Sequence, residues 1–138
     1  MLAVMGSNPK QLLSVTGAAE AATGLVLAVA PSMLAELLLG AAPGTAAGVT
    51  LSRVAGAAIV ALGVVCWLAR DDAAGRIATG LVAVMLLYNV AVVAILVLAW
   101  TSQGLYGIAL WPVVLAHAGL AVWCLAAVAM GDRAANRS

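Results

Sequence analysis

Four long apolar runs, separated by short polar or turn-forming stretches, set the frame of this chain. The clearest is Leu51 to Arg70, LSRVAGAAIVALGVVCWLAR, in which Val54 to Ala69 carry no charge. As a helix rising about 1.5 Å per residue, the stretch from Arg53 to Arg70 covers about 26 Å, close to the hydrocarbon thickness of a bilayer. An earlier run, Leu12 to Ala30, is interrupted only by Ser14, Thr16, Glu20 and Thr23. Ala28-Val29-Ala30 imitates a signal-peptide cleavage site. Pro31 directly after it, Glu20 inside the apolar run and a single Lys before it favour a retained span. The third run goes from Arg76 to Trp100, and the fourth from Ile108 to Met130 with Pro112 in its first turn, where a missing N–H costs little.

The punctuation between the runs is equally legible. Asn8-Pro9 marks a turn or helix start, and Pro43-Gly44 marks a turn. PSMLAELLLG, Pro31 to Gly40, reads as a short amphipathic helix at the membrane interface, opened by its proline. Asp72 is placed to cap the third span, TSQGLYG (Thr101 to Gly107) to form a tight uncharged loop, and Gly131 to end the fourth span. The expectation is an all-α integral membrane four-helix transmembrane bundle over residues 1–138, with spans at about 11–30, 49–70, 76–100 and 108–130 and an interfacial helix at about 31–39.

Composition agrees. Of 138 residues, 66% are hydrophobic and 8% charged, against about 25% charge in a soluble domain. A net charge of +1 with no basic run gives no reason to expect a nucleic-acid partner. Lys10, Arg70, Arg76, Arg133 and Arg137 fall on one side of a four-span topology and only Arg53 toward the other, which places both termini in the cytoplasm. Trp100, Tyr106 and Trp111 then form an aromatic belt at the outer face. Gly17 with Ala21, Gly24 with Ala28, and Gly56 with Gly63 stand at helix-contact spacing, where small residues let backbones approach. Cys66-Trp67-Leu68-Ala69 and Trp123-Cys124-Leu125-Ala126, near the ends of spans two and four, hint at an internal repeat.

The candidate chemistry lies in the few polar residues inside the spans. Counted from the cytoplasmic edge, Glu20 stands at ~14 Å, Asn89 and His117 at ~20 Å, and Arg53 at ~25 Å. Each helix thus contributes one polar residue to a layer in the middle or outer-middle of the bilayer, with Tyr88 beside Asn89. Intramembrane charges are costly and normally face the bundle interior and find partners. In a structural reading, Glu20 pairs with Arg53 while Asn89 and His117 hydrogen-bond across helices. In a functional reading, the layer binds a polar head group or relays protons. Glu36 is either a solvated position or a competing partner for Arg53. Cys66 and Cys124 read as buried packing residues, since thiols without basic neighbours are inert. One His and two Cys do not make a structural zinc site unaided. The chain has no P-loop, dinucleotide fingerprint, HExxH or Ser/His/Asp arrangement, which counts against a hydrolase or nucleotide enzyme.

In the order of its elements the chain resembles small bacterial tetraspan membrane proteins, including DoxX-like ones. The resemblance rests on P-x-x-L-x-x-L-L-L-G (Pro31 to Gly40), S-R-V-A-G-A-A (Ser52 to Ala58), Tyr88-Asn89, and Trp111-Pro112 followed by His117. It implies a bacterial cytoplasmic (inner) membrane and little about activity or cofactors.

The leading expectation is a non-enzymatic membrane protein that binds a small amphipathic molecule or lipid head group at the layer of Glu20, Arg53, Tyr88, Asn89 and His117. Arg53 would hold the anionic part, Glu20 balance its charge, and Asn89 and His117 orient the ligand. One alternative is an accessory or assembly subunit of a larger membrane complex, with the small-residue faces as its interface. Another is a proton-coupled transporter or channel, formed as a homo-oligomer. A membrane oxidoreductase using a quinone or haem is the weakest reading, because one His gives at most one axial ligand.

Overall fold

A computed structural model describes residues 8–72 and 75–135, with side chains as far as Met130. The leader before Asn8 and the side chains of the polar tail, with Arg133 and Arg137, lie outside the described residues. The described chain is all-helical: α1 (Pro9–Val29), α2 (Pro31–Leu39), α3 (Ala46–Ala69), a 3-10 turn (Arg70–Asp72), α4 (Arg76–Gln103) and α5 (Leu110–Ala135). Among the described residues, α1, α3, α4 and α5 are each long and apolar enough to cross a membrane. This is the architecture of a multi-pass membrane protein.

Local chemistry explains most of the helix ends. Asn8 caps α1, its side-chain oxygen accepting from the amides of Lys10 and Gln11. Thr45 caps α3 through the amide of Gly48 at 3.0 Å. Gly40 and Gly104 close α2 and α4 with φ of 72° and 67°, the left-handed conformation that glycine adopts without strain. Three boundaries differ from the sequence expectation. Asp72 does not cap the third span; it sits in the 3-10 turn, its carbonyl accepting from Gly75, and Gly75 opens α4 with no side-chain cap. α4 runs on through Thr101 to Gln103, where Thr101 returns its hydroxyl to the Val97 carbonyl. α5 continues past Gly131 to Ala135, since one glycine weakens a helix by only about 1 kcal/mol.

The helices form two antiparallel hairpins, α1 with α3 and α4 with α5, each far more extensive in contact than anything that joins them. The first is a backbone contact. A Cβ added at Gly63 would lie 2.5 Å from the Ala21 nitrogen, and one at Gly56 would lie 2.5 Å from the Ala28 nitrogen. A Cβ at Gly17 would lie 2.9 Å from the Gly63 oxygen, and one at Gly24 would lie 2.6 Å from the Gly56 oxygen. The small-residue pairs read from the sequence thus meet as one seam, repeating every seven residues. The second hairpin packs through side chains, with Leu96, Leu110 and Val114 buried toward its turn. A second cluster joins the hairpins nearer the end that carries Pro9 and Arg76: Leu12, Leu13, Cys66, Ala78, Val82, Met85 and Cys124.

At the other end, α2 works as a strap. It leaves α1 at Pro31 and reaches the turn between α4 and α5, where Leu38 and Leu39 pack on the second hairpin. The Ala109 amide donates to the Leu37 carbonyl at 2.8 Å, and Gly40 and Gly107 allow the backbones of Tyr106 and Leu37 to touch theirs. Trp100 and Trp111 meet edge to face there, centroids 5.1 Å apart, with Tyr106 exposed beside that turn. At the opposite end, Lys10 pairs with Asp71 at 2.9 Å, tying α1 to the 3-10 turn.

Gly63→Ala forces a methyl into backbone and should cost about 1–3 kcal/mol of stability in detergent. Gly80→Ala, where an added Cβ meets nothing within 4 Å, should be neutral or stabilising by up to about 1 kcal/mol. Thermal unfolding of the two variants beside wild type checks this; equal melting of Gly63→Ala and wild type would remove the seam.

Candidate functional site

The buried face of α1 carries Leu13, Thr16, Gly17, Glu20 and Gly24, at the three- and four-residue spacing of one helical face. Glu20 is 3% exposed and accepts a hydrogen bond at Oε2 from the Tyr88 hydroxyl, 3.0 Å away on α4. This bond joins the two hairpins. Beside it, Asn89 is fully buried and donates from Nδ2 to the Met85 carbonyl at 2.7 Å. A carbonyl only accepts, so the Asn89 amide is fixed with its oxygen toward α5, where Oδ1 lies 2.7 Å from His117 Nδ1. An amide oxygen also only accepts. His117 therefore carries its proton on Nδ1, and a neutral ring presents a lone pair at Nε2. The Tyr88 ring stands edge-on to His117, centroids 5.9 Å apart.

Four of the five residues expected in the polar layer thus come together: Glu20, Tyr88, Asn89 and His117. Arg53 does not join them. It is exposed and makes no ion pair among the described residues, and the partner of Glu20 is Tyr88. The reason lies in the seam. Gly56 and Gly63 are the α3 positions turned to α1, and Arg53 lies about 60° to 80° around the helix from them. Gly24 meets Gly56 and Gly17 meets Gly63, so Arg53 also stands about 10 Å along the axis from Glu20. Where two backbones touch there is no room for a guanidinium. Glu36 is likewise exposed and makes no ion pair with Arg53.

Two polar groups beside the cluster were not singled out from the sequence. The Thr16 hydroxyl and the Trp123 indole N–H are buried and have no hydrogen-bond partner. The hydroxyls of Ser14, Thr50, Ser52, Thr79 and Thr101 each return to the carbonyl four residues back, whereas that of Thr16 does not. The Glu20–Tyr88 and Asn89–His117 contacts set the helices in register. Thr16 and Trp123 then stand at about the same height, one turn from Glu20. Thr16 was detectable from its position four residues before Glu20 on one face; no sequence signal distinguishes Trp123 from a lipid-facing tryptophan.

Cys66 and Cys124 are both buried, free and part of one apolar cluster, consistent with packing residues at similar depth. No group of three or more His, Cys, Asp or Glu among the described residues is placed to hold a metal ion. Two open grooves of about 350 and 320 Å³ lie elsewhere, one between α2 and the α4–α5 turn and one between the facing ends of α3 and α4. Neither is lined by the cluster.

The separation of Glu20 and Arg53 has a measurable consequence. Glu20→Ala and Arg53→Ala should be additive in unfolding free energy within about 0.5 kcal/mol, as for sites without shared partners. A coupling above about 1 kcal/mol would restore the ion pair. No protein-family model, curated protein or solved structure matches the chain. The layout resemblance to DoxX-like tetraspan proteins therefore has no support beyond the residues quoted for it.

Proposed function

We propose that this chain is a multi-pass protein of the bacterial cytoplasmic membrane that binds the polar head of a small amphipathic molecule at its interior cluster. The observation that carries the reading is the pair of buried, unpartnered groups, Thr16 Oγ1 and Trp123 Nε1, one turn from Glu20. An orphaned buried polar atom costs about 1–3 kcal/mol and calls for an explanation. A guest oxygen, hydroxyl or carbonyl, would accept from either donor, and a guest hydroxyl would find an acceptor in the Glu20 carboxylate or His117 Nε2. Ionisable residues within a membrane are functional candidates by default. The guest would enter by parting the two hairpins, whose mutual contacts are much thinner than those within each. Lys10, Arg70 and Arg76 at one end of the bundle support a cytoplasmic position for that end and for both termini.

A second reading, an accessory subunit or homo-oligomer, draws on Gly80 and Gly119. Both are exposed helix positions where an added Cβ meets nothing within 4 Å, which leaves room for the backbone of a partner helix.

Native mass spectrometry of the protein, extracted from its own membrane in mild detergent, separates these readings. Binding predicts an added small mass on wild type that is lost in Thr16→Val, a near-isosteric change that removes the orphan hydroxyl without lowering thermal stability. An added mass that persists in Thr16→Val, or a wild type bare of small molecules but bound to a protein partner or a second copy, would overturn the ligand reading.

A further inference from the structure

The groove between α2 and the α4–α5 turn has a chemistry that the interior cluster does not use. It holds about 350 Å³ and is lined by Met33, Glu36, Leu37, Tyr106 and Ile108, with Gly40 and Gly107 where the backbones touch. Its two sides are locked together by the Ala109-to-Leu37 hydrogen bond and by the contacts of Gly40 with Tyr106 and Gly107 with Leu37. The groove is therefore part of the fold and not a gap between free loops. Its walls offer apolar surface to an acyl chain: Met33 is 51% exposed and Ile108 80%.

Charge selects the occupant. The other acidic residues of the chain are Glu20, which is buried, and Asp71, Asp72 and Asp132, which belong to the opposite end of the bundle. Glu36 is the sole carboxylate at this end, exposed, and without an ion pair among the described residues. A lone carboxylate above an apolar groove at the end of a membrane bundle complements an amphiphile whose head carries N–H donors and positive charge. We infer that this groove seats a phospholipid with a primary ammonium head group, the ammonium on Glu36 and an acyl chain along Met33, Leu37 and Ile108. The Tyr106 phenol lines the same groove and supplies a donor for the lipid phosphate. An anionic glycerol head group would meet the Glu36 carboxylate with like charge and be disfavoured.

The test uses full-length protein in detergent, titrated in parallel with phosphatidylethanolamine and phosphatidylglycerol of identical acyl chains, with bound lipid counted by native mass spectrometry. Wild type should favour the ethanolamine lipid about two- to fivefold, the range that one exposed ion pair supplies. Glu36→Gln, an exposed and isosteric change, should abolish that preference while leaving the melting temperature unchanged. Glu20→Gln should retain it, which separates this site from the interior cluster. Equal binding of the two lipids by wild type would overturn the assignment, as would a preference unchanged in Glu36→Gln. A second copy of the chain covering the groove and excluding both lipids would overturn it too.

Discussion

The contact on which the structure depends is the touching of two backbones along the α1–α3 seam. Between membrane helices there is little hydrophobic drive for association, because lipid tails are as apolar as leucine; close packing must supply it. Gly17 against Gly63 and Gly24 against Gly56 bring the chains near enough that any side chain would collide with backbone. The seam also fixes the rotation of each helix about its axis. Glu20 lies between Gly17 and Gly24 in sequence, about 60° and 40° around the helix from them, and is aimed past α3 toward α4. There it finds the Tyr88 hydroxyl. The same rotation applied to α3 sends Arg53 to the outside. One steric constraint thus decides which of the two intramembrane charges is interior.

The second hairpin is built differently. Its interior is filled by leucine and valine side chains, with one buried amide, Asn89, whose hydrogen bonds are directed by the Met85 carbonyl and answered by His117. Because each hairpin is well packed internally and the two are joined by fewer contacts, the polar cluster lies along the weaker boundary of the bundle. α2 reinforces that boundary at one end by spanning from α1 to the turn of the second hairpin. The interior polar cluster thus lies between two separately packed hairpins that α2 clamps together at one end.

The architecture was almost entirely legible in the sequence, because a bilayer demands long apolar runs and the chain marks their ends with Pro, Gly and charge. The Gly and Ala spacings on α1 and α3 marked faces for close helix contact, and the fold shows that these faces meet each other. What linear depth did not convey was azimuth. Arg53 was placed in the layer by its height alone, and height along a helix is silent about which way a side chain faces. Asn89 and His117 do hydrogen-bond across helices, as the structural reading expected, because the buried Asn89 of α4 faces the half-buried His117 of α5. Asp72 failed as a cap because it closes one turn of 3-10 helix, Arg70–Asp72, and α4 opens only at Arg76 after Gly75, a tertiary detail that propensity does not encode. The orphaned Trp123 indole was invisible for a similar reason: partnership is a property of neighbours, which only the fold supplies.

The seam turns Glu20 onto Tyr88, so that one hydrogen bond inside the membrane couples the two hairpins. A double-mutant cycle with Glu20→Gln, Tyr88→Phe and the double variant, followed by unfolding in detergent, measures it directly. A coupling of about 0.5–2 kcal/mol between the two positions is expected. Additive losses, with coupling below about 0.3 kcal/mol, would contradict it and leave the hairpins joined by apolar packing alone.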